Sequence, residues 1–486
     1  MNRVAIIGAG LTGLSAGIVL QEHGIDTEIF DMAPWPGGVC TAWTRKGYTF
    51  DGCIHWMVGT RKGEPMRATY ERVHALMPDT EIHHLDSIHL DIDGEIHVVP
   101  LQIDRFRAFL LEIAPEDEKA IRHMCRTIER VSRSEMVPGR PKSLKGFVHM
   151  MTKGRGFMVT LIKYMNRTVR AYCRRFTSDR VVSIIHHLMG PDMSAFALFM
   201  MLGMRMGQNG GFPMGGARDM IARMSERYLA LGGTLTLNTR IDEIVVKEGA
   251  AVAVRSGERT YSTGHAIAAC DMYDTLKRML KGKYPHETLD RMLREAPLFD
   301  PIMLVSLGLN QRFDMPYDTL VPIPNPIDTG DSKTNRLYVR SFAFEPTFAP
   351  EGSMSIMVTL PAIFDYWQEL RTNDLQAYRE TKGRIARDVI AALEDVYPGL
   401  RESVEVIDVA TPATYYRLNN LHRGSWEGFL PVPGSLRTVI EKSVSGISNL
   451  VLAGQWVTPG GGIPPAIMGG IDSAERIIRQ MRKRKG

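Results

Sequence analysis

Val4-Ala5-Ile6-Ile7-Gly8-Ala9-Gly10-Leu11-Thr12-Gly13 is an apolar run that breaks into three spaced glycines. Four consecutive apolar residues read as a strand buried on both faces of a parallel sheet. The residues after them read as a helix, with Leu11, Leu14, Ile18 and Val19 on one stripe and Gly24 at its end. Ile25, Thr27 and Ile29 alternate as a second strand, closed by Asp31. Strand, glycine turn, helix, strand and acid together form a dinucleotide-binding unit. Gly8 permits the tight turn, Gly10 lets backbone approach a pyrophosphate, and Gly13 lets the helix lie close to the strand. The helix N-terminus turns unpaired N–H groups toward the phosphates, and the Asp31 carboxylate accepts from ribose hydroxyls.

The rest of the composition suits a large folded enzyme. With 486 residues, 44% hydrophobic and 23% charged, the chain is long enough for two domains, interleaved if need be. Cys40, Cys53, Cys125, Cys173 and Cys270 are scattered and odd in number, which argues against a disulfide framework or a thiolate metal site and for a reduced, cytoplasmic setting. Val4 to Leu20 has the apolarity of a signal-peptide core, but glycines interrupt it and no small-residue cleavage site follows, so export is not expected. Met193 to Met204 is shorter than the roughly twenty residues a membrane span takes, so no transmembrane helix is expected.

The glycine motif alone does not separate FAD from NAD; three further stretches do. Pro36-Gly37-Gly38-Val39 is followed by Arg45-Lys46-Gly47-Tyr48-Thr49-Phe50-Asp51-Gly52. Gly211-Phe212-Pro213-Met214-Gly215-Gly216 leads into a helix to Leu231, a strand from Thr234 to Leu237, and Arg240-Ile241-Asp242. A hairpin turning near Ser256-Gly257 precedes Ala266 to Ala269. Asn449-Leu450-Val451-Leu452-Ala453-Gly454 precedes Thr458-Pro459-Gly460-Gly461-Gly462-Ile463-Pro464-Pro465 and a helix from about Ala466 to Met481. With these stretches the chain resembles the phytoene desaturase and carotenoid isomerase branch of FAD-dependent oxidoreductases, whose flavin fold is shared with the amine oxidases.

The resemblance implies an α/β fold: a Rossmann-like FAD-binding domain with an interleaved α+β substrate domain of mixed sheet plus helices. Residues 1–74, 206–289 and 436–486 fall to the first, and 75–205 and 290–435 to the second. It implies FAD contacts at Gly8, Gly10, Leu11, Thr12, Gly13, Asp31, Met32, Gly37, Gly38, Val39, Arg45, Asp51, Gly52, Ile241, Ala269, Gly454, Gln455, Pro459, Gly461, Gly462, Ile463 and Pro464. Ile241 meets the adenine through its backbone, and the helix after Gly462 stabilises negative charge on the flavin's pyrimidine edge. Gln455 departs from the acid common in the family, and Cys270-Asp271 stands where Asn-Ala-Asp is frequent. No cysteine follows Cys270, so a C-terminal thioether is excluded and FAD is held non-covalently.

The expected substrate half is less explicit. Ile82 to Val99 reads as a hairpin around Asp93-Gly94, with Ile88, Leu90 and Ile92 on one face and His89 and Asp91 on the other. His83, His84, His89 and His97 lack metal-ligand spacing and are expected to face solvent, with no metal bound. From Met136 to Ser178 there are ten Lys or Arg and no Asp or Glu, interleaved with Phe147, Met150, Met151, Phe157, Met158, Leu161, Ile162 and Met165. This segment reads either as a peripheral anchor on anionic lipid or as a basic helix packed by its apolar face, and the tail Arg482-Lys483-Arg484-Lys485 leans toward lipid. No nucleic-acid recognition motif is present. Pro301 to Asn310 and Ser353 to Leu360 read as core strands, and Leu375 to Val396 as a helix.

Trp56, Tyr415, Tyr416 and Trp426 are candidates for an apolar substrate pocket, with core packing the competing reading. The resemblance implies hydride transfer to or from flavin N5 on carbon–carbon bonds of a lipophilic, isoprenoid-like molecule: desaturation, saturation or isomerisation. His55 is the candidate proton-handling group, with a structural role beside Trp56 as the competing reading. A flavin amine oxidase is an alternative, weakened by the lack of a lysine from Pro301 to Asn310. A flavin-binding lipid carrier is another. Only one dinucleotide unit is evident, so electrons pass through free nicotinamide, quinone, oxygen or another protein.

Overall fold

The computed structural model describes residues 3–92, 94–137, 143–330 and 332–485. Val4–Ile7 is central because its four side chains are all buried, which only a strand covered on both faces allows. It lies in a six-stranded sheet in the order Thr234–Thr236, Thr27–Phe30, Val4–Ile7, His265–Ala268, Ile447–Leu452 and Ser443–Val444. The first five strands are parallel and the sixth antiparallel. Segments more than 400 residues apart in sequence thus share one hydrogen-bonded layer, with Ala5 opposite Ala266 and Ala266 opposite Leu450. Glu243–Lys247, Ala250–Ser256 and Arg259–Ser262 form a separate antiparallel sheet, turning where the sequence predicts.

The helix Leu11–Glu22 corrects one expectation. It carries no apolar stripe, because every residue from Leu11 to Leu20 is buried. Helices Gly216–Ala230 and Ile463–Lys485 pack on it in addition to the sheet, and a helix enclosed on all sides needs no polar face. Small residues make the approach possible: a Cβ on Gly17 would lie 2.6 Å from the Tyr228 ring, and one on Gly470 would lie 2.3 Å from the Thr12 carbonyl.

A second sheet has seven strands, ordered Val404–Ala410, Ile302–Leu309, Met354–Pro361, Lys333–Ser341, Asp318–Asp328, Ser87–Ile92 and Glu95–Pro100. All its pairings are antiparallel except Thr319 with His89. The helix Leu375–Val396 packs Ile385, Val389 and Leu393 into its core. Ser87–Ile92 buries Ile88, Leu90 and Ile92 as its alternation predicts, but Asp91 on the other face is buried too and pairs with Arg336. The strand became internal by tertiary pairing, which alternation alone does not signal. Asp93, at the expected turn, lies outside the described residues. His83, His84, His89 and His97 are half-buried rather than solvated, and His83 stacks 3.9 Å from the Phe344 ring.

A helical layer completes the second half. Glu118–Ser132 and Ala195–Met206 cross so closely that a Cβ on Gly203 would meet Val131 at 2.6 Å, and the second helix packs into the helical core. Among the described residues no helix is long and apolar enough to cross a membrane. In the basic segment, residues 138–142 lie outside the described residues. The helices Leu144–Thr152 and Arg155–Tyr164 turn Leu144, Phe147, Val148, Met151, Val159 and Ile162 outward, with Leu144 80% and Ile162 69% exposed. Of the large apolar side chains exposed among the described residues, no other group is as concentrated, although Phe157, Leu161 and Met165 of the same segment pack on the helical core.

Candidate functional site

Strand ends converge on one cavity of about 510 Å³, within the roughly 300–1,000 Å³ of small-molecule sites. Gly8 follows Val4–Ile7, Asp31 follows Thr27–Phe30, Ala269 follows His265–Ala268 and Gly454 follows Ile447–Leu452, and all four line it. Ligands of parallel sheets bind at these carboxyl ends because loops and helix N-termini gather there. Gly8 takes φ +106°, and a Cβ there would strike the Ala269 carbonyl oxygen at 2.6 Å. On Gly13, within the first helical turn, a Cβ would stand 1.9 Å from the Gly8 oxygen. Gly37 bridges to Gly10 through its N–H, which donates to Ala9 O at 2.9 Å.

Two helix N-termini meet at the cavity. Gly10 caps Leu11–Glu22 without a side chain, leaving the first-turn N–H groups without an intrahelical acceptor. Thr12 Oγ1 donates to Ala466 O at 2.9 Å and so ties this helix to Ile463–Lys485. The turn before the latter, Gly460-Gly461-Gly462, has φ of +93°, +50° and +90°, a conformation that side chains rarely adopt. Asp31 accepts from Ala9 N at 2.6 Å and Ala33 N at 2.8 Å; burial raises its pKa against those bonds. Each carboxylate oxygen keeps a lone pair for a ribose hydroxyl.

Met32, Val39, Gly38, Leu11, Ile241, Gln455, Pro459, Gly461, Gly462, Ile463 and Pro464 also line the cavity. The Ile241 carbonyl accepts from Arg278 Nη2 at 2.8 Å. Gln455 Nε2 donates to Trp426 O at 3.1 Å.

Besides Gly13, which packs against Gly8, five expected contacts lie off the cavity wall. Arg45 sits on the outward strand Ala42–Arg45 and pairs with Asp408 at 2.9 Å. Asp51 is fully buried behind the cavity, where it accepts from Ala217 N, Cys53 N and Ile54 N at 2.7, 2.9 and 2.8 Å. It ties its own Gly52 turn to the Gly215-Gly216 turn and does not line the cavity; Gly52 does not line it either, and a Cβ there would strike the Trp43 ring at 2.6 Å. Tyr415 packs in the core, the half-buried Tyr416 meets the Phe364 ring edge-on, and neither lines the cavity.

Trp56 and Trp426 do line the cavity, together with His55, Met136, Phe157, Phe196, Met200 and Leu436. His55 stacks on Trp426 with centroids 5.9 Å apart and planes 13° apart. Burial, then the cations Arg340 and Arg205, hold its imidazole well below the usual range, so it stays neutral. His55, the expected proton-handling group, thus lines the cavity with its charged form disfavoured twice. Asp271 accepts from Asp274 N and His422 N, and burial pushes its carboxyl up to about 7. Sequence reasoning passed over Glu427, whose signal was a lone acid in the aromatic, glycine-flanked segment Gly424-Ser425-Trp426-Glu427-Gly428.

The glycine cradles, converging helix N-termini and ribose-type acid fit an adenine dinucleotide with a further ring system. With an aromatic chamber beside them they define an FAD-dependent oxidoreductase. The chain is 24% identical to the lycopene-forming phytoene desaturase of Pseudescherichia vulneris, with 99% of this chain and 100% of the relative covered. It is 23% identical to chloroplastic prolycopene isomerase 1 of an Oncidium hybrid cultivar, with 98% and 84% covered. The solved structure of cyclohexylamine oxidase from Brevibacterium oxydans superposes with a TM-score of 0.60 at 15% identity, covering 99% of both chains, and so shares the fold. Residues 11–478 match the flavin containing amine oxidoreductase family, and the chain belongs to it.

Proposed function

We propose that this flavoenzyme exchanges hydride with carbon–carbon bonds of a lipophilic, isoprenoid-like substrate, as a desaturase, saturase or isomerase. The observation that carries the reading is the chamber of Trp56, Phe157, Phe196, Met200 and Leu436, which shares one cavity with the glycine cradles. Bound FAD supplies the hydride acceptor and donor. Gly8, Gly10, Leu11, Thr12, Asp31 and the turn at Gly461 and Gly462 hold it, the aromatic wall orients an apolar chain beside it, and closure of that wall keeps water out. Residues 1–74, 206–289 and 436–486 serve the cofactor, with Trp56 and Leu436 reaching into the substrate chamber, and 75–205 and 290–435 serve the substrate.

The substrate comes from a membrane surface. Leu144, Phe147, Val148, Met151, Val159 and Ile162 face outward on two helices flanked by Lys153 in the turn between them and by Arg155 and Lys163 on the second, from which Phe157 reaches the cavity wall. Apolar contact with cationic flanks suits a peripheral contact on anionic lipid. Relatives whose names specify a phytoene desaturase and a prolycopene isomerase support the substrate class. The strand Ile302–Leu309 offers no lysine for amine oxidase chemistry.

Anaerobic mixing of the FAD-loaded protein with candidate polyenes tests the proposal. Bleaching or restoration of the flavin band with a matching change in the polyene supports it. An unchanged band marks a carrier, and peroxide released from amines marks an amine oxidase. Mass spectrometry of lipid extracted from the purified protein narrows the substrate.

A further inference from the structure

The carboxylates on the cavity wall differ in how their oxygens are used. Asp31 is bonded by Ala9 and Ala33, Asp271 by Asp274 and His422, and Asp274 by Arg278 at 2.6 Å. Glu427 lines the same cavity, and among the described residues no hydrogen bond or ion pair engages its carboxyl. A Cβ on Gly462 would stand 2.9 Å from Glu427 Oε1, and one on Gly461 would stand 2.5 Å from Glu427 Cγ. The acid therefore presses on the glycine turn that opens the helix Ile463–Lys485, one residue from the Trp426 ring that stacks on His55. An acid left without a partner in an apolar chamber is costly unless it carries its proton.

We propose that Glu427 is the proton-carrying group of this site, exchanging a proton with the substrate carbon adjacent to the one that exchanges hydride. This rests on the carbon–carbon reading above. Saturation adds a hydride and a proton to the two carbons of a double bond. Desaturation removes both from neighbouring carbons, whose remaining electron pair becomes the new double bond. The hydride belongs to the bound cofactor, and the proton leaves from or arrives at a Glu427 carboxyl oxygen.

Burial pushes the Glu427 carboxyl up to about 8. The helix N-terminus beyond Gly462 favours the ionised form, but with no donor on the carboxyl, burial prevails. The titratable groups around it are Cys53, with Cys40 and Asp51 behind, and His55 beyond Trp426. Cys53 is held protonated, with its thiol raised by Cys40 and burial, and His55 is held neutral. At neutral pH the chamber presents no ion on these groups to an apolar substrate. Glu427 then stands loaded to give a proton, so saturation slows as pH rises through about 8. Desaturation, which needs the carboxylate, speeds up over the same interval.

The test uses the FAD-loaded wild type and Glu427→Gln. Infrared titration of the wild type should show a protonated-carboxyl band that fades as pH rises through about 8 and is missing in Glu427→Gln. With a polyene that the wild type accepts, Glu427→Gln should lose on the order of 10²–10⁴-fold in rate while keeping its FAD content. In heavy water the deuterium should enter the carbon next to the hydride-accepting one in the wild type only. Glu427→Asp should recover part of the lost rate and provides the comparison if Glu427→Gln does not fold. Absence of the band, or wild-type rate and pH profile in Glu427→Gln, overturns the proposal. If no polyene is turned over by the wild type yet the band is present, the substrate reading falls while a proton-loaded Glu427 is supported.

Discussion

Gly13→Ala should weaken both the fold and FAD binding, and the size of each effect follows from one contact. The added Cβ would lie 1.9 Å from the Gly8 carbonyl oxygen and 3.1 Å from the Gly8 carbonyl carbon. Comfortable separation is about 3.5 Å, so the helix Leu11–Glu22 must withdraw by about 1.5 Å. Neither partner is a side chain that swings aside, which puts the packing cost near the upper end of the ~1–3 kcal/mol typical of overpacking. Alanine's advantage over glycine within a helix returns about 0.5–1 kcal/mol, leaving a net loss of about 2 kcal/mol. The same withdrawal moves the first-turn N–H groups away from the phosphates. A hydrogen bond to a charged group contributes about 1.5–3 kcal/mol, so FAD affinity should fall on the order of 10–100-fold. Urea midpoints of the apoprotein report the first effect, and flavin fluorescence titration the second. Gly434→Ala is the control: nothing lies within 4 Å of a Cβ there, so its stability should stay within about 0.5 kcal/mol of wild type. Unchanged urea midpoint and FAD affinity in Gly13→Ala would refute the reasoning, as would equal losses in Gly434→Ala.

Other consequences can be checked as directly. Asp51→Asn turns one acceptor oxygen into a donor facing the Ala217, Cys53 and Ile54 amides, and should cost about 1–3 kcal/mol in urea unfolding; a variant of wild-type stability would remove Asp51 as the tie between the glycine loops. Leu144→Asp with Ile162→Asp replaces the two most exposed side chains of the outward apolar group. It should lower binding to anionic vesicles at least tenfold, given about 1.5–3 kcal/mol per buried apolar side chain; sedimentation equal to wild type would count against lipid docking there. Glu427 binds its proton more tightly in the folded protein, at about 8, than at its ordinary value of 4.5. Its contribution therefore makes stability fall as pH rises from 4.5 toward 8, and that slope should flatten in Glu427→Gln when thermal unfolding is followed across the interval.

The sequence by itself determined the local units. Val4 to Asp31 announces strand, glycine turn, helix, strand and acid, and each forms there because spacing and backbone freedom act over a few residues. Leu375–Val396 has the predicted bounds for the same reason, as a 3.6-residue period between an N-capping Asp374 and the approach of Pro398. Gly461 and Gly462 were legible as part of a turn that opens a helix, because a run of glycines marks backbone that takes positive φ. Tertiary structure decided what depends on the company each segment keeps. It enclosed Leu11–Leu20 on every side, buried Asp91 with Arg336, drew Tyr415 and Tyr416 into packing, and left Arg45 on the surface. It also brought Glu427 to the turn at Gly461 and Gly462, and set Arg340 and Arg205 behind His55. Burial and neighbouring charge fix what an ionisable group does, and both arise from residues hundreds of positions apart that only the folded chain brings together.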